Sequence, residues 1–98
     1  MDSTTGQSPS VRREVLFSGN VQGVGFRYTT CQVAADYPVG GFVRNLPDGR
    51  VQVIVEGPSS AVEQFIRRLT TRMDRYIARA ESSEAPARGE FDQFGVRF

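Results

Sequence analysis

Gly41-Phe-Val-Arg-Asn45-Leu-Pro-Asp-Gly-Arg50-Val-Gln-Val-Ile-Val-Glu56 reads as two short strands about a tight turn. Pro47 presets one backbone dihedral and Gly49 accepts a left-handed one, so the chain reverses between Leu46 and Gly49. Val51, Val53 and Val55 alternate with Gln52 and Glu56, the period of a strand buried on one face. The spacing predicts strands over residues 41–45 and 50–56, and the rest of the chain is placed around this hairpin.

Upstream, the apolar run Val15, Leu16, Phe17 predicts a strand over residues 11–18. Residues 19–25 follow as a loop holding Gly19, Gly23 and Gly25. Residues 26–37 contain no Gly or Pro, with Phe26, Thr30, Cys31, Ala34 and Ala35 at helical spacing. Pro38 disfavours helix at the residue before it, so the helix is expected to stop near Tyr37. Downstream, Gly57-Pro58 ends the second hairpin strand, and Ser60 and Glu63 have the spacing of a capping box. Val62, Phe65, Ile66, Leu69 and Met73 mark one face of a helix running to about Arg72. A strand over residues 76–84 and a last one carrying Phe94, Val96 and Phe98 complete the order β-α-β-β-α-β-β. That order predicts an α+β, split-βαβ sandwich: an antiparallel sheet of four to five strands with two helices on one face. Residues 1–10, polar and rich in Ser, Thr and Gly, read as a flexible leader, and residues 11–98 as one domain.

Composition narrows the chemistry. The 98 residues include no His, which excludes a Ser-His-Asp triad, a Cys-His pair and His-ligated zinc. All twelve basic residues are Arg, so Schiff-base chemistry and a phosphate-binding lysine are excluded as well. Any cation offered to a substrate is an arginine. The net charge of +1 carries no electrostatic footprint for nucleic acid or an anionic membrane surface. Cys31 is the single cysteine, and the N-terminus lacks an apolar secretory run, so the expectation is a cytoplasmic monomer.

The chemistry-bearing stretch is Gly19-Asn-Val-Gln-Gly-Val-Gly-Phe-Arg27. Glycines let successive amides converge on one anion, and the helix start beyond them adds unpaired N–H groups. Arg27, in that helix's first turn, carries a planar fork matched to two phosphate oxygens. Taken alone, the same stretch is equally a tight strand-to-helix connection with a solvated arginine. Asn45, at the end of a hairpin strand, is by itself either a turn-closing amide or a residue that orients a nucleophile. Cys31 reads as a small core residue without an activating partner.

Gly-x-Val-Gln-Gly-Val-Gly-Phe-Arg at residues 19–27, together with Gly-Phe-Val-Arg-Asn-Leu-Pro-Asp-Gly at residues 41–49, resembles the acylphosphatase family. The likeness continues through residues 51–57 and the ending at 89–98, and covers nearly everything after Glu14. The resemblance implies a ferredoxin-like fold and hydrolysis of the carboxyl–phosphate bond of small-molecule acyl phosphates, with no metal or cofactor. It implies that Arg27 binds the phosphate and Asn45 holds the attacking water. It also implies that backbone amides around Val21, Gln22, Gly23, Val24, Gly25 and Phe26 form the phosphate loop. Gly25 stands at a variable place in the motif and is expected to loosen the loop. Tyr37-Pro38 departs from the usual helix ending, and the Phe98 carboxylate is a candidate to orient Arg27. An RNA-binding module of the same element order would need aromatics on both central strands, and residues 50–56 hold none. The remaining alternative is a non-catalytic phosphate- or anion-binding regulatory module.

Overall fold

The computed structural model describes residues 9–98. The leader expected at residues 1–10 lies, through residue 8, outside the described residues. Pro9 already accepts a hydrogen bond from the Ser59 amide (2.8 Å), and β1 begins at Ser10. The elements are β1 (Ser10–Gly19), α1 (Phe26–Ala34), β2 (Gly40–Asn45), β3 (Val51–Pro58), α2 (Ser59–Arg72), a 3-10 turn at Asp74–Tyr76, β4 (Ile77–Pro86) and β5 (Phe94–Val96). One sheet of order β4-β1-β3-β2-β5 results, with both helices against one face. This is the ferredoxin-like arrangement that the element order predicts.

The hairpin is built as its residues require. Gly49 donates to the Leu46 carbonyl (3.1 Å), and the Asp48 carboxylate accepts from the Arg50 amide (3.1 Å), closing the turn. Val51, Val53 and Val55 turn to the helices, where they are fully buried beside Val15, Phe17 and Val43. From the helices come Phe26, Val33, Val62, Phe65, Leu69 and Met73. Each such apolar side chain removed from water contributes on the order of 1.5–3 kcal/mol.

The structure departs from the sequence expectation in four places. First, α1 ends at Ala34, three residues before Tyr37. Asp36 donates to Val33 (3.1 Å) and Tyr37 to Ala34 (3.1 Å), so the last turn tightens into 3-10 bonding ahead of Pro38. Second, α1 buries Val33 rather than Ala35, which is exposed. Third, α2 starts at Ser59 with Pro58, rather than Ser60, as its N-cap. Glu63 pairs with Arg13 (3.0 Å).

Fourth, only the first four strands are antiparallel; β5 pairs parallel to β2, with Gly41 opposite Phe94 and Val43 opposite Val96. The chain between β4 and β5 has to pass from one sheet edge to the other. It does so over the face without helices, at the end far from the β1–α1 loop. Buried Glu56 pins it there, accepting from the amides of Arg88 (2.9 Å) and Gly89 (3.0 Å) while paired with Arg12 (2.9 Å). Phe91 then packs edge-on against Phe42 (ring centroids 6.0 Å apart). Crossing at that end makes β5 run toward the Asn45 end of β2. Among the described residues, no helix is long and apolar enough to cross a membrane.

Candidate active site

The loop after β1 is held at both flanks. Asn20 donates its amide to the Tyr76 carbonyl (3.0 Å), and the buried side chains of Val21 and Phe26 anchor the loop from beneath. Phe26 meets Phe17 with ring centroids 5.1 Å apart. Between these anchors Gly23 and Gly25 take left-handed conformations, φ 79° and 77°, which side-chain-bearing residues rarely adopt. Gly25 is the N-cap of α1, and its left-handed conformation sets the helix entry.

The first helical bond of α1 runs from the Thr29 amide to the Gly25 carbonyl (3.0 Å). Among the described residues, no backbone carbonyl accepts from the amides of Gln22, Gly23, Gly25, Phe26, Arg27 or Tyr28. No acidic side chain stands in the first turn, so the positive end of the helix dipole is uncompensated.

Arg27 projects from that first turn, half-buried, and among the described residues it pairs with no carboxylate. Its contact is the ring of Phe98, whose centroid lies 5.1 Å from the guanidinium carbon. Phe98 therefore reaches Arg27 through its ring, and not through the carboxylate that the sequence suggested. Asn45 closes β2 opposite Val51, on the same sheet face as buried Val43. Its half-buried side-chain amide is engaged in no hydrogen bond among the described residues.

Arg27 and Asn45 line one cleft of about 340 Å³ together with Val21, Gly23, Gly25 and Phe26. Tyr28, Val96 and Phe98 complete the wall. Of the loop residues expected at the site, Gln22 and Val24 do not line it. Val24 packs against the core. Gln22 turns its side-chain amide to the Leu46 and Arg50 carbonyls (2.9 Å each), tying the loop to the hairpin that carries Asn45. This tie was missed at the sequence level, because contacts to distant carbonyls leave no local pattern. Val96 and Phe98 were legible as one face of an alternating strand, and Tyr28 only as the neighbour of Arg27. Cys31 is half-buried, and burial pushes its thiol pKa up, the opposite of an activated nucleophile.

Among the described residues, the side chains of the lining offer one permanent cation, one neutral amide and the Tyr28 hydroxyl beside the loop amides, and no side-chain carboxylate, thiol or imidazole. Such a set binds an oxyanion and aligns a neutral molecule beside it.

The chain is similar to known proteins along most of its length. The acylphosphatase family model matches residues 13–96. The chain is 48% identical over 67 residues to a protein of Trichormus variabilis named acylphosphatase, covering 68% of this chain and 66% of that one, just under two thirds of its length. An Arthrobacter protein of the same name is 43% identical over 96 residues, covering 97% of this chain and 86% of its own. Among solved structures, the acylphosphatase from Bacillus subtilis superposes with a TM-score of 0.81 at 26% identity, over 90% of this chain and 99% of that one.

Proposed function

The chain belongs to the acylphosphatase family, and from that premise we propose that the cleft between the β1–α1 loop and the end of β2 hydrolyses small-molecule acyl phosphates. The loop amides and Arg27 hold the phosphoryl group, and Asn45 orients the attacking water. The observation that carries this reading is the convergence of Arg27 and Asn45, from separate motifs, on one cleft floored by amides without backbone acceptors.

The chemistry fits the donors available. An acyl phosphate already contains a good leaving group, the carboxylate, so no protein acid is required. Transfer through a loose transition state calls mainly for alignment and for stabilisation of the phosphoryl oxygens. Water bonds to phosphorus, the P–O bond to the acyl oxygen breaks, and the carboxylate leaves as an anion. One water proton passes to a phosphoryl oxygen, giving dihydrogen phosphate, because the lining holds no group suited to general-base work near neutrality. Metal-independent turnover is part of the same proposal, since the step asks for alignment and charge stabilisation that Arg27 and the loop amides can supply. A monomer as the working unit belongs to the same proposal, as does a cytoplasmic location, inferred from the single cysteine.

The test is turnover of acetyl phosphate in ¹⁸O-labelled water, with and without chelator, across about pH 6–9. The expected result is label in phosphate rather than acetate, no effect of chelator, and a kcat without an enzyme ionisation in that window. Label in acetate, or a bell-shaped profile, would contradict the mechanism. Phosphate binding without turnover would leave the anion-binding module instead.

A further inference from the structure

Three large hydrophobic side chains stand exposed among the described residues: Tyr28, Val96 and Phe98. Scattered singly, such residues need no explanation, but all three line the cleft that holds Arg27 and Asn45. They arrive by independent routes. Tyr28 follows Arg27 in the first turn of α1, while Val96 and Phe98 are delivered by the parallel pairing of β5 with β2. Two of the three make a further contact, although Tyr28 and Phe98 stay open to solvent. Gln32, one turn along α1, donates to the Tyr28 hydroxyl (3.0 Å), and the Phe98 ring lies against the Arg27 guanidinium.

This deepens the reading under Proposed function and rests on it. If the loop amides and Arg27 take the phosphoryl end, the acyl end is left to the remaining wall. That wall is mostly apolar, and among the described residues Arg27 is the only charged side chain lining the cleft. We infer that Tyr28, Val96 and Phe98 form the acyl subsite, selecting aromatic and other bulky apolar acyl phosphates over short ones and over those with a charged acyl chain. A volume of about 340 Å³ sits at the small end of ligand pockets, with room for one ring beside a phosphate. A charged acyl group finds no partner there, and its desolvation goes uncompensated.

The experiment measures kcat/KM for benzoyl, acetyl and succinyl phosphate, each referred to its spontaneous hydrolysis rate, for the wild type, Tyr28→Ser and Phe98→Ala. Calorimetric titration with phenylphosphonate and methylphosphonate runs alongside, and circular dichroism checks each variant's fold. The expected result is about a tenfold preference for benzoyl over acetyl phosphate, carried by KM, with succinyl phosphate no better than acetyl. Phenylphosphonate is expected to bind about tenfold more tightly than methylphosphonate, and both preferences shrink to about threefold or less in either variant. Turnover of all three substrates at matched efficiency, with equal phosphonate affinities, overturns the subsite while leaving the hydrolase reading intact. Phenylphosphonate preference that is lost in Tyr28→Ser, without turnover of any substrate, supports the subsite while the hydrolase reading fails. A preference retained in both folded variants also overturns it.

Discussion

Gln22 directs its side-chain amide at the carbonyls of Leu46 and Arg50, and so joins the loop carrying the free amides to the strand end carrying Asn45. The Leu46 carbonyl also closes the hairpin turn with Gly49, and the Arg50 carbonyl also accepts from Leu46. A single side chain thus registers two elements that approach each other only in the folded state. Gln22→Ala is expected to cost about 1–2 kcal/mol of stability. It is also expected to lower kcat about tenfold to a hundredfold with little change in KM, because misalignment of the water and phosphoryl group is felt mainly in the transition state. Gln22→Glu keeps the shape but turns an acceptor toward two acceptors, and it should be worse than alanine. Steady-state kinetics and thermal melts of the two variants check this. A wild-type kcat in Gln22→Ala, or a Gln22→Glu enzyme as active as wild type, would mean that the tie is structural only.

At the scale of the elements, the crossing between β4 and β5 depends on Glu56. Burial alone would raise the carboxyl's pKa, but hydrogen bonds from the Arg88 amide, the Arg12 side chain and the Gly89 amide outweigh it and hold it below its ordinary value of 4.5. The folded state therefore favours the carboxylate. Its contribution is fully present above the ordinary value and is lost as pH falls through the depressed one. Glu56→Gln should lose about 3 kcal/mol at pH 7, where Arg12 is left with Glu90 alone, and much less near pH 3. Urea unfolding at the two pH values measures this; an equal loss at both would contradict the linkage. Element existence was legible in the sequence, since the hairpin valines, the α2 stripe and the closing Phe-x-Val-x-Phe each carry their period. What escaped was decided by tertiary contacts. The early end of α1 depends on 3-10 bonds before Pro38, the α2 cap on Pro58, and the parallel direction of β5 on the Glu56 anchor. Both polar candidates, Arg27 and Asn45, stood in the sequence. Their shared cleft did not, because it requires the β1–α1 loop and the end of β2 to meet.

At the scale of the whole molecule, the fold places its machinery at one end and its fastening at the other. β5 is secured at the Glu56 end and runs parallel to β2, and so carries Val96 and Phe98 to the cleft where α1 begins and β2 ends. Arg27 is set by the helix start, Asn45 by the strand end, and the free amides by the loop between β1 and α1. The amides are shared between that loop and the first turn of α1, while Asn45 comes from β2, so the proposed activity would be a property of the assembled sandwich. The measurement that bears most directly on this account is kcat/KM for benzoyl phosphate in the wild type, Arg27→Ala, Asn45→Ala and the double variant, each confirmed folded by circular dichroism. The account predicts a loss of at least about 10²–10³-fold in each single variant, and a double variant far less impaired than the product of the two, as expected of groups acting on one transition state. Near-wild-type turnover in either folded single variant, or losses that simply multiply, would contradict a shared site.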